Sequence, residues 1–498
     1  MRQRGLLLLR FWFFLAIAIA FGVIFFHVLM LVMPVRAPGG FLLGFAFTIA
    51  QFIWTVIAVL IAITIGSAVW NLLYWASGRI SLLTDEHLEL PPFGRTELED
   101  GKPPYWATSK AANAGSLQEF LRLGKDPEFR IGIVLAGGGA KGVYQAGALR
   151  ALWEFLEANN ALPYVRMITG TSIGSWNSMF WITRQVAGGR WDEGTSYKWW
   201  TSTRLSSVVN PSIYVPILRN YLGGNQVWRR QFTALFGDKE FDPLPYFYLT
   251  RTNVESAMLD FSTNREARKL PPGTLPNYRG LANENRSQDA KPAVKQIESA
   301  VFASMDIPPA FKRLQDASGN YYEDSGVIDN LPIQFATWCE GCNLLFVFPL
   351  NATFAGHASH ISVIQRMARV LDIRQGVLER NALTDISLYN RIIEGEQAKD
   401  KLAKESPPTA TTDTSKNKVS EVHSQPSTTF CICPAPPLGV GTFGFWSLRG
   451  HGRACFQLMY EATKAELAKF DFSLKNQEVW MAKVSPGGQI KYEDFTQG

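Results

Sequence analysis

Ser172 lies in Gly170-Thr171-Ser172-Ile173-Gly174, a pentapeptide whose residue types suit a nucleophile. Glycines two before and two after a serine let other backbone pass close to it. A sharp strand-to-helix turn can then push the hydroxyl into the open. The flanks agree: Tyr164–Thr169 reads as a strand, and Ser175–Phe180 can continue as a helix. Taken alone, the pattern fits a serine-capped tight turn equally well. A second motif lies upstream, where the apolar run Ile131–Leu135 enters Ala136-Gly137-Gly138-Gly139-Ala140-Lys141-Gly142 and then a helix from Val143 to about Glu157. Bare glycines at a helix N-terminus present unobstructed N–H groups to an anion. Three chemistries compete for them. A phosphate-binding loop of the Walker type needs Ser or Thr after its lysine, and none follows Lys141. Gly137, Gly139 and Gly142 satisfy a dinucleotide fingerprint, but the next strand ends at Thr169-Gly170-Thr171-Ser172, with no carboxylate for a ribose hydroxyl. An oxyanion hole for acyl transfer is the reading that uses both motifs together.

A serine nucleophile needs a base. None of the six histidines (His27, His87, His357, His360, His423 and His451) follows a histidine-loop motif, and His357 and His360 could cap a helix. A carboxylate is the simpler solution, provided burial raises its basicity. The segment Tyr321–Pro332 offers Asp324, with Glu323 and Asp329 as competitors. Glu323 would point to the opposite face of an extended segment. Asp329, before Asn330-Leu331-Pro332, suits a turn or helix cap.

Together, the glycine run, Gly-Thr-Ser-Ile-Gly, Ala303-Ser304-Met305-Asp306-Ile307-Pro308-Pro309-Ala310-Phe311 and Asp324-Ser325-Gly326-Val327-Ile328-Asp329-Asn330-Leu331-Pro332 resemble, in order and spacing, the patatin-like phospholipase family. Thr252-Asn253-Val254 occupies the place of a family strand. The resemblance implies a three-layer α/β/α sandwich and a Ser-Asp dyad, with no catalytic histidine, metal or other cofactor. Position by position it makes Ser172 the nucleophile and Asp324 the base. The amides of Gly137, Gly138 and Gly139 become the oxyanion hole and Lys141 the family's basic residue, while Gly142, Gly170, Gly174 and Gly326 complete the motifs. The implied activity is hydrolysis of ester-linked acyl chains of phospholipids or other membrane lipids through an acyl-enzyme. Acyl transfer on the same dyad and a non-catalytic membrane scaffold or lipid-binding protein are the alternatives. One departure stands out. The family usually has glycine after the aspartate, where this chain has Ser325, and a positive φ there would strain a serine.

The positioning elements fall into blocks. Phe11–Pro34 and Ala37–Gly78 carry no Asp, Glu, Lys or Arg, and a bilayer span needs roughly 20 apolar residues. Residues 1–80 are therefore expected to form a transmembrane hairpin with spans at about 11–33 and 41–66, too long an apolar run for a signal peptide. Trp70, Tyr74 and Trp75 suit the membrane interface, and His27 would meet Thr48 or Gln51. Arg2, Arg4, Arg10 and Arg79 against Arg36 place both ends, and the catalytic domain, in the cytoplasm. Residues 81–128 read as a linker and 129–480 as the catalytic domain. Within it lie a polar surface insertion at 264–295, a helix near 361–394, a disordered insertion at about 401–429, a strand at 428–434 and a helix at 453–470. Trp199, Trp200 and Trp228 are core residues by default, with a membrane-facing lid as the functional hypothesis. Cys339-x-x-Cys342 and Cys431-x-Cys433 are spaced too closely in the second pair for a usual zinc knuckle, so reduced thiols are expected. A net charge of +6 with 18% charged residues and no dense basic block fits a lipid bilayer as partner and argues against nucleic acid. Oligomeric state is left open.

Overall fold

The computed structural model describes residues 129–496 apart from 212–222, 240–243, 266–277, 282–293, 309, 316–318, 352–362, 406–425, 437, 446 and 473–477. Eleven strands among them form one sheet. They are β1 (Ile131–Leu135), β2 (Val165–Gly170), β3 (Tyr246–Asn253), β4 (Met258–Thr263), β5 (Tyr278–Leu281), β6 (Leu314–Gln315), β7 (Tyr321–Glu323), β8 (Leu344–Phe348), β9 (Thr428–Pro434), β10 (Trp480–Val484) and β11 (Ile490–Asp494). The order is β11-β10-β9-β8-β1-β2-β3-β4-β5, with β7 paired to β3 and β6. The six strands from β10 to β3 are all parallel to their neighbours. Their residues follow from that position. Ile-Gly-Ile-Val-Leu in β1 and Leu-Leu-Phe-Val-Phe in β8 are buried throughout, because a parallel sheet is covered on both faces and selects continuous apolar runs.

The helices are α1 (Gly142–Ala158), α2 (Ile173–Ile182), α3 (Thr195–Ser202), α4 (Gln226–Phe236), α5 (Val294–Met305), α6 (Val363–Glu405) and α7 (Leu448–Lys469). α1 packs along α7, while α2 bridges β2, α1 and α5. The turn Phe335–Cys339 lies against β1 and β2. A Cβ on Gly132 would stand 3.1 Å from Ala336 Cβ, so the even positions of β1 face that turn and the odd ones face the other layer. The result is the expected three-layer α/β/α sandwich.

Several expectations are corrected. The transmembrane hairpin, with its spans at 11–33 and 41–66, lies outside the described residues. Among the described residues no helix is long and apolar enough to cross a membrane. The two-span topology and the cytoplasmic placement that depended on it are not carried further, and the linker 81–128 also lies outside. The insertion expected at 401–429 is shorter, since α6 continues to Glu405 and β9 begins at Thr428. Ala-Lys-Asp-Lys-Leu-Ala-Lys-Glu is polar but made largely of good helix formers. The segment 264–295 contains β5, paired in parallel with β4. α7 starts at Leu448 rather than Arg453, and the sheet continues past residue 480 to Asp494. Trp199, Trp200 and Trp228 are buried. Trp176 gathers the aromatic core, with ring centroids 4.8 Å from Trp199 and 5.3 Å from Trp228. The membrane-facing use of these tryptophans is withdrawn. All five cysteines are buried, and none is joined in a disulfide.

Candidate active site

The candidate residues gather at the carboxyl ends of the parallel strands, where loops after β1, β2 and β8 converge, as open α/β sheets favour for ligand sites. β2 ends at Gly170, and α2 begins at Ile173, so Ser172 is the residue on which the chain reverses. It adopts φ 52° and ψ −120°, a conformation that costs a non-glycine residue of order 1–3 kcal/mol. Close packing enforces it. A Cβ on Gly170 would lie 2.4 Å from the Gly174 carbonyl carbon, and one on Gly174 2.6 Å from Leu135 O. Any larger residue at either position would pry the turn open.

A buried hydroxyl relay locks this turn from below. The Ser172 N–H donates to Ser304 Oγ at 2.8 Å. Ser175 Oγ stands 2.9 Å from Ser304 Oγ and 2.7 Å from Gly170 O. Thr171 and Thr250 hydroxyls meet at 2.9 Å, and Thr250 donates to Ser325 Oγ at 2.8 Å. Ser325 is thus the link between the nucleophile turn and the aspartate turn. It is not among the described non-glycine residues with positive φ, so the strain that its replacement of glycine threatened does not arise.

Asp324 follows β7 and caps the single turn Ser325–Val327, with Oδ1 accepting the Gly326 N–H at 2.7 Å. Its own N–H donates to Asp306 O at 3.1 Å, and Thr252 Oγ1 donates to its carbonyl at 3.1 Å. The carboxyl is 2% exposed. Burial pushes its pKa up to about 7, opposed by hydrogen bonding from Ser172 and Gly326 and reinforced by Glu323. Oδ2 has no partner of good hydrogen-bonding geometry. The Ser172 side chain stands against this carboxyl and opposes the rise in its pKa. The competitors are occupied elsewhere. Glu323 pairs with Arg313 at 2.8 Å, and Asp329 Oδ1 accepts the Leu331 N–H at 3.0 Å, a turn contact. His357 and His360 lie outside the described residues, as do His27, His87 and His423, while His451 is exposed on α7.

The glycine turn flanks Ser172: a Cβ on Gly137 would stand 3.0 Å from Ser172 Cβ. Of the three expected amides, that of Gly137 is engaged, donating to Asn330 O at 3.2 Å. Among the described residues, the amides of Gly138 and Gly139 make none of the turn and loop hydrogen bonds that engage Gly137 and Ala140. Lys141 is buried. Its Nζ donates to Asn351 Oδ1 at 2.6 Å and pairs with Asp372 at 3.1 Å, so its ammonium is directed away from the nucleophile into the scaffold. Gly142 packs its Cα against Ile173 and Trp200. Gly326 is pressed between Asn330 and Gln375, where a Cβ would lie 2.7 Å from each.

Four partners were not legible as such. Ser304 stood in a quoted motif without a role. Asp306, beside it, is a second buried carboxyl, pushed well above the ordinary range by burial and by Asp324, against the pull of Arg229. Asn351, just after β8, and Glu379, on α6, carried no sequence signal. Among the described residues no group of His, Cys, Asp or Glu is placed to hold a metal.

Residues 133–337 match the family model described as Patatin-like phospholipase. On that match the protein is an enzyme of the lipid acyl hydrolase type working through serine and aspartate. No curated protein matches the chain. Among solved structures it is similar to VipD from Legionella pneumophila, at 13% identity and a TM-score of 0.26, covering 70% of this chain and 73% of that one.

Proposed function

We propose that Ser172 and Asp324 are the catalytic pair and that the protein hydrolyses ester-linked acyl chains of phospholipids. Asp324 takes the Ser172 proton as Oγ attacks the ester carbonyl carbon. Negative charge developing on the carbonyl oxygen is met by the Gly138 and Gly139 amides at the head of α1. The proton passes to the leaving alkoxide, which departs as lysolipid alcohol and leaves an acyl-serine. Water, deprotonated by Asp324, then releases the fatty acid and regenerates Ser172. The catalytic unit runs from Phe129 to the last strand.

The observation that supports this reading best is the conjunction of a strained serine and a water-excluded carboxyl with a partnerless oxygen. Both features are unfavourable for folding, and the proposed chemistry uses each of them. The test is fatty-acid release from phospholipid and acylglycerol micelles by the full chain. Ser172→Ala and Asp324→Asn should each lose about 10³-fold or more in kcat, with phospholipid the preferred substrate. Activity retained in Ser172→Ala would overturn the assignment. A preference for acylglycerols would overturn the substrate class alone.

A further inference from the structure

Next to the glycine turn lies a buried carboxylate that the proposed reaction does not use. Glu379, on α6, is completely shut from solvent. Four N–H groups converge on it. Asn330 Nδ2 at 2.6 Å and Asn351 Nδ2 at 2.9 Å donate to Oε1. The Leu350 and Asn351 backbone amides donate to Oε2 at 3.2 and 2.7 Å. The same two carboxamide nitrogens donate their second hydrogens to a single atom, the Gly137 carbonyl oxygen, at 3.1 and 2.9 Å. Since Gly137 N–H is held by Asn330 O, the residue that precedes the two available amides is fixed at both ends.

We infer that Glu379 is a positioning residue for the oxyanion hole: through Asn330 and Asn351 it clamps the Gly137 carbonyl and so aims the Gly138 and Gly139 amides.

This rests on the Ser172–Asp324 reading above and deepens it. The physical reason is the donor count. An ionised carboxylate only accepts, so it compels both carboxamides to turn their NH₂ groups toward it and toward Gly137. With Oε1 and Oε2 each receiving two hydrogen bonds, the site is complete for the anion and has no room for a proton. Asn330 Oδ1, turned away, is buried without a partner, an arrangement that only the pull on Nδ2 compensates. A Gln at 379 would present an NH₂ to donors already in place. At least one carboxamide must then flip or withdraw, and the Gly137 carbonyl loses a bond.

The groups facing Glu379 are Lys141 from the glycine turn, which favours the anion, and the thiols of Cys431 and Cys433 on β9, which burial holds neutral. Burial dominates and pushes Glu379 up to about 7 despite its hydrogen bonds. Protonation at lower pH would put a hydrogen among four donors and undo the clamp. Asp324 titrates in the same range. The wild-type enzyme should therefore lose kcat/KM through two protons below neutrality, with a limiting slope of two in a logarithmic plot.

The experiment combines this pH profile with Glu379→Gln, using the full chain and a soluble short-chain ester. The variant should lose about 10- to 100-fold in kcat, with KM within about threefold of wild type, and its acid limb should have a slope of one. A trifluoromethyl ketone, which adds to the serine as an oxyanion, should bind more weakly by the factor lost in kcat/KM. Glu379→Gln with unchanged kcat and ketone affinity overturns the inference. Should that variant not fold, Asn351→Ala, which removes one of the two side-chain donors to the Gly137 carbonyl, is read for the same two losses, and their absence overturns the inference equally. Ser172→Ala inactive beside a fully active Glu379→Gln would refute this inference alone, whereas an active Ser172→Ala would refute the dyad itself.

Discussion

Glu340 and Asp324 are both closed off from water, yet they lie at opposite ends of the parallel strands and are treated in opposite ways. At the amino end, Glu340 receives Arg166 Nε at 3.2 Å, Arg265 Nη1 and the Tyr248 hydroxyl, and its carbonyl accepts from Arg130 at 2.8 Å. Every oxygen has a donor, and the acid in turn drives up the pKa of its Tyr248 neighbour, adding to the effect of burial. At the carboxyl end, Asp324 has one backbone N–H on Oδ1 and nothing well placed on Oδ2. A buried carboxylate is costly unless paired. The amino-end acid is fully compensated and ties strands together. The carboxyl-end acid is left short, and its burial raises its basicity, which the reaction proposed above would use.

The contrast can be broken or sharpened by substitution. Glu340→Gln removes the acceptor that two guanidinium groups share and should cost about 3 kcal/mol of stability, read as a lower denaturant midpoint, while kcat of the folded enzyme stays within about twofold. A stable Glu340→Gln with impaired kcat would reverse the roles assigned to the two ends. Asp324→Asn should show the opposite sign. Because burial raises Asp324 in the native state to about 7, folding favours its protonated form. Its contribution to stability is complete below pH ~4 and is lost as pH rises through about 7. The gain in Tm of Asp324→Asn over wild type should therefore grow from pH 5 to pH 8 and be worth about 1–2 kcal/mol at the upper end. A gain that shrinks with rising pH would contradict the environment described for Asp324. The smallest effect is expected at Ser325. Its φ demands no glycine, and Ser325→Gly gives up a hydroxyl contact with Thr250 and a longer one with Ser304, so stability should fall by about 1 kcal/mol and kcat by less than about threefold. A large gain in kcat would mean that serine holds the dyad in a poor geometry.

Much of this architecture was legible in local patterns. Ile131–Leu135, the glycine cluster and Gly170–Gly174 announce their elements because apolar runs, bare N–H groups and close backbone approach each impose a residue type over a few positions. Asp324 was legible by its motif and by the lack of a suitable histidine. The continuation of α6 to Glu405 was not, because Lys, Glu and Ala favour helix and solvation alike. Charge-free stretches near the N-terminus gave rise to a membrane hairpin that no described helix bears out.

What the sequence determined by itself was therefore short-range: which serine can stand on a strained turn, which glycines leave amides bare, and which strands are buried on both faces. Tertiary structure alone decided which amides remain available, since Gly137 is claimed by Asn330, nearly two hundred residues later in the chain. It decided too that Ser304 and Ser325 join the nucleophile and aspartate turns, and that Glu379 stands next to the glycine loop. Such roles depend on how many donors and acceptors meet at one buried point. That count is set by packing of distant segments, and no spacing along the chain records it.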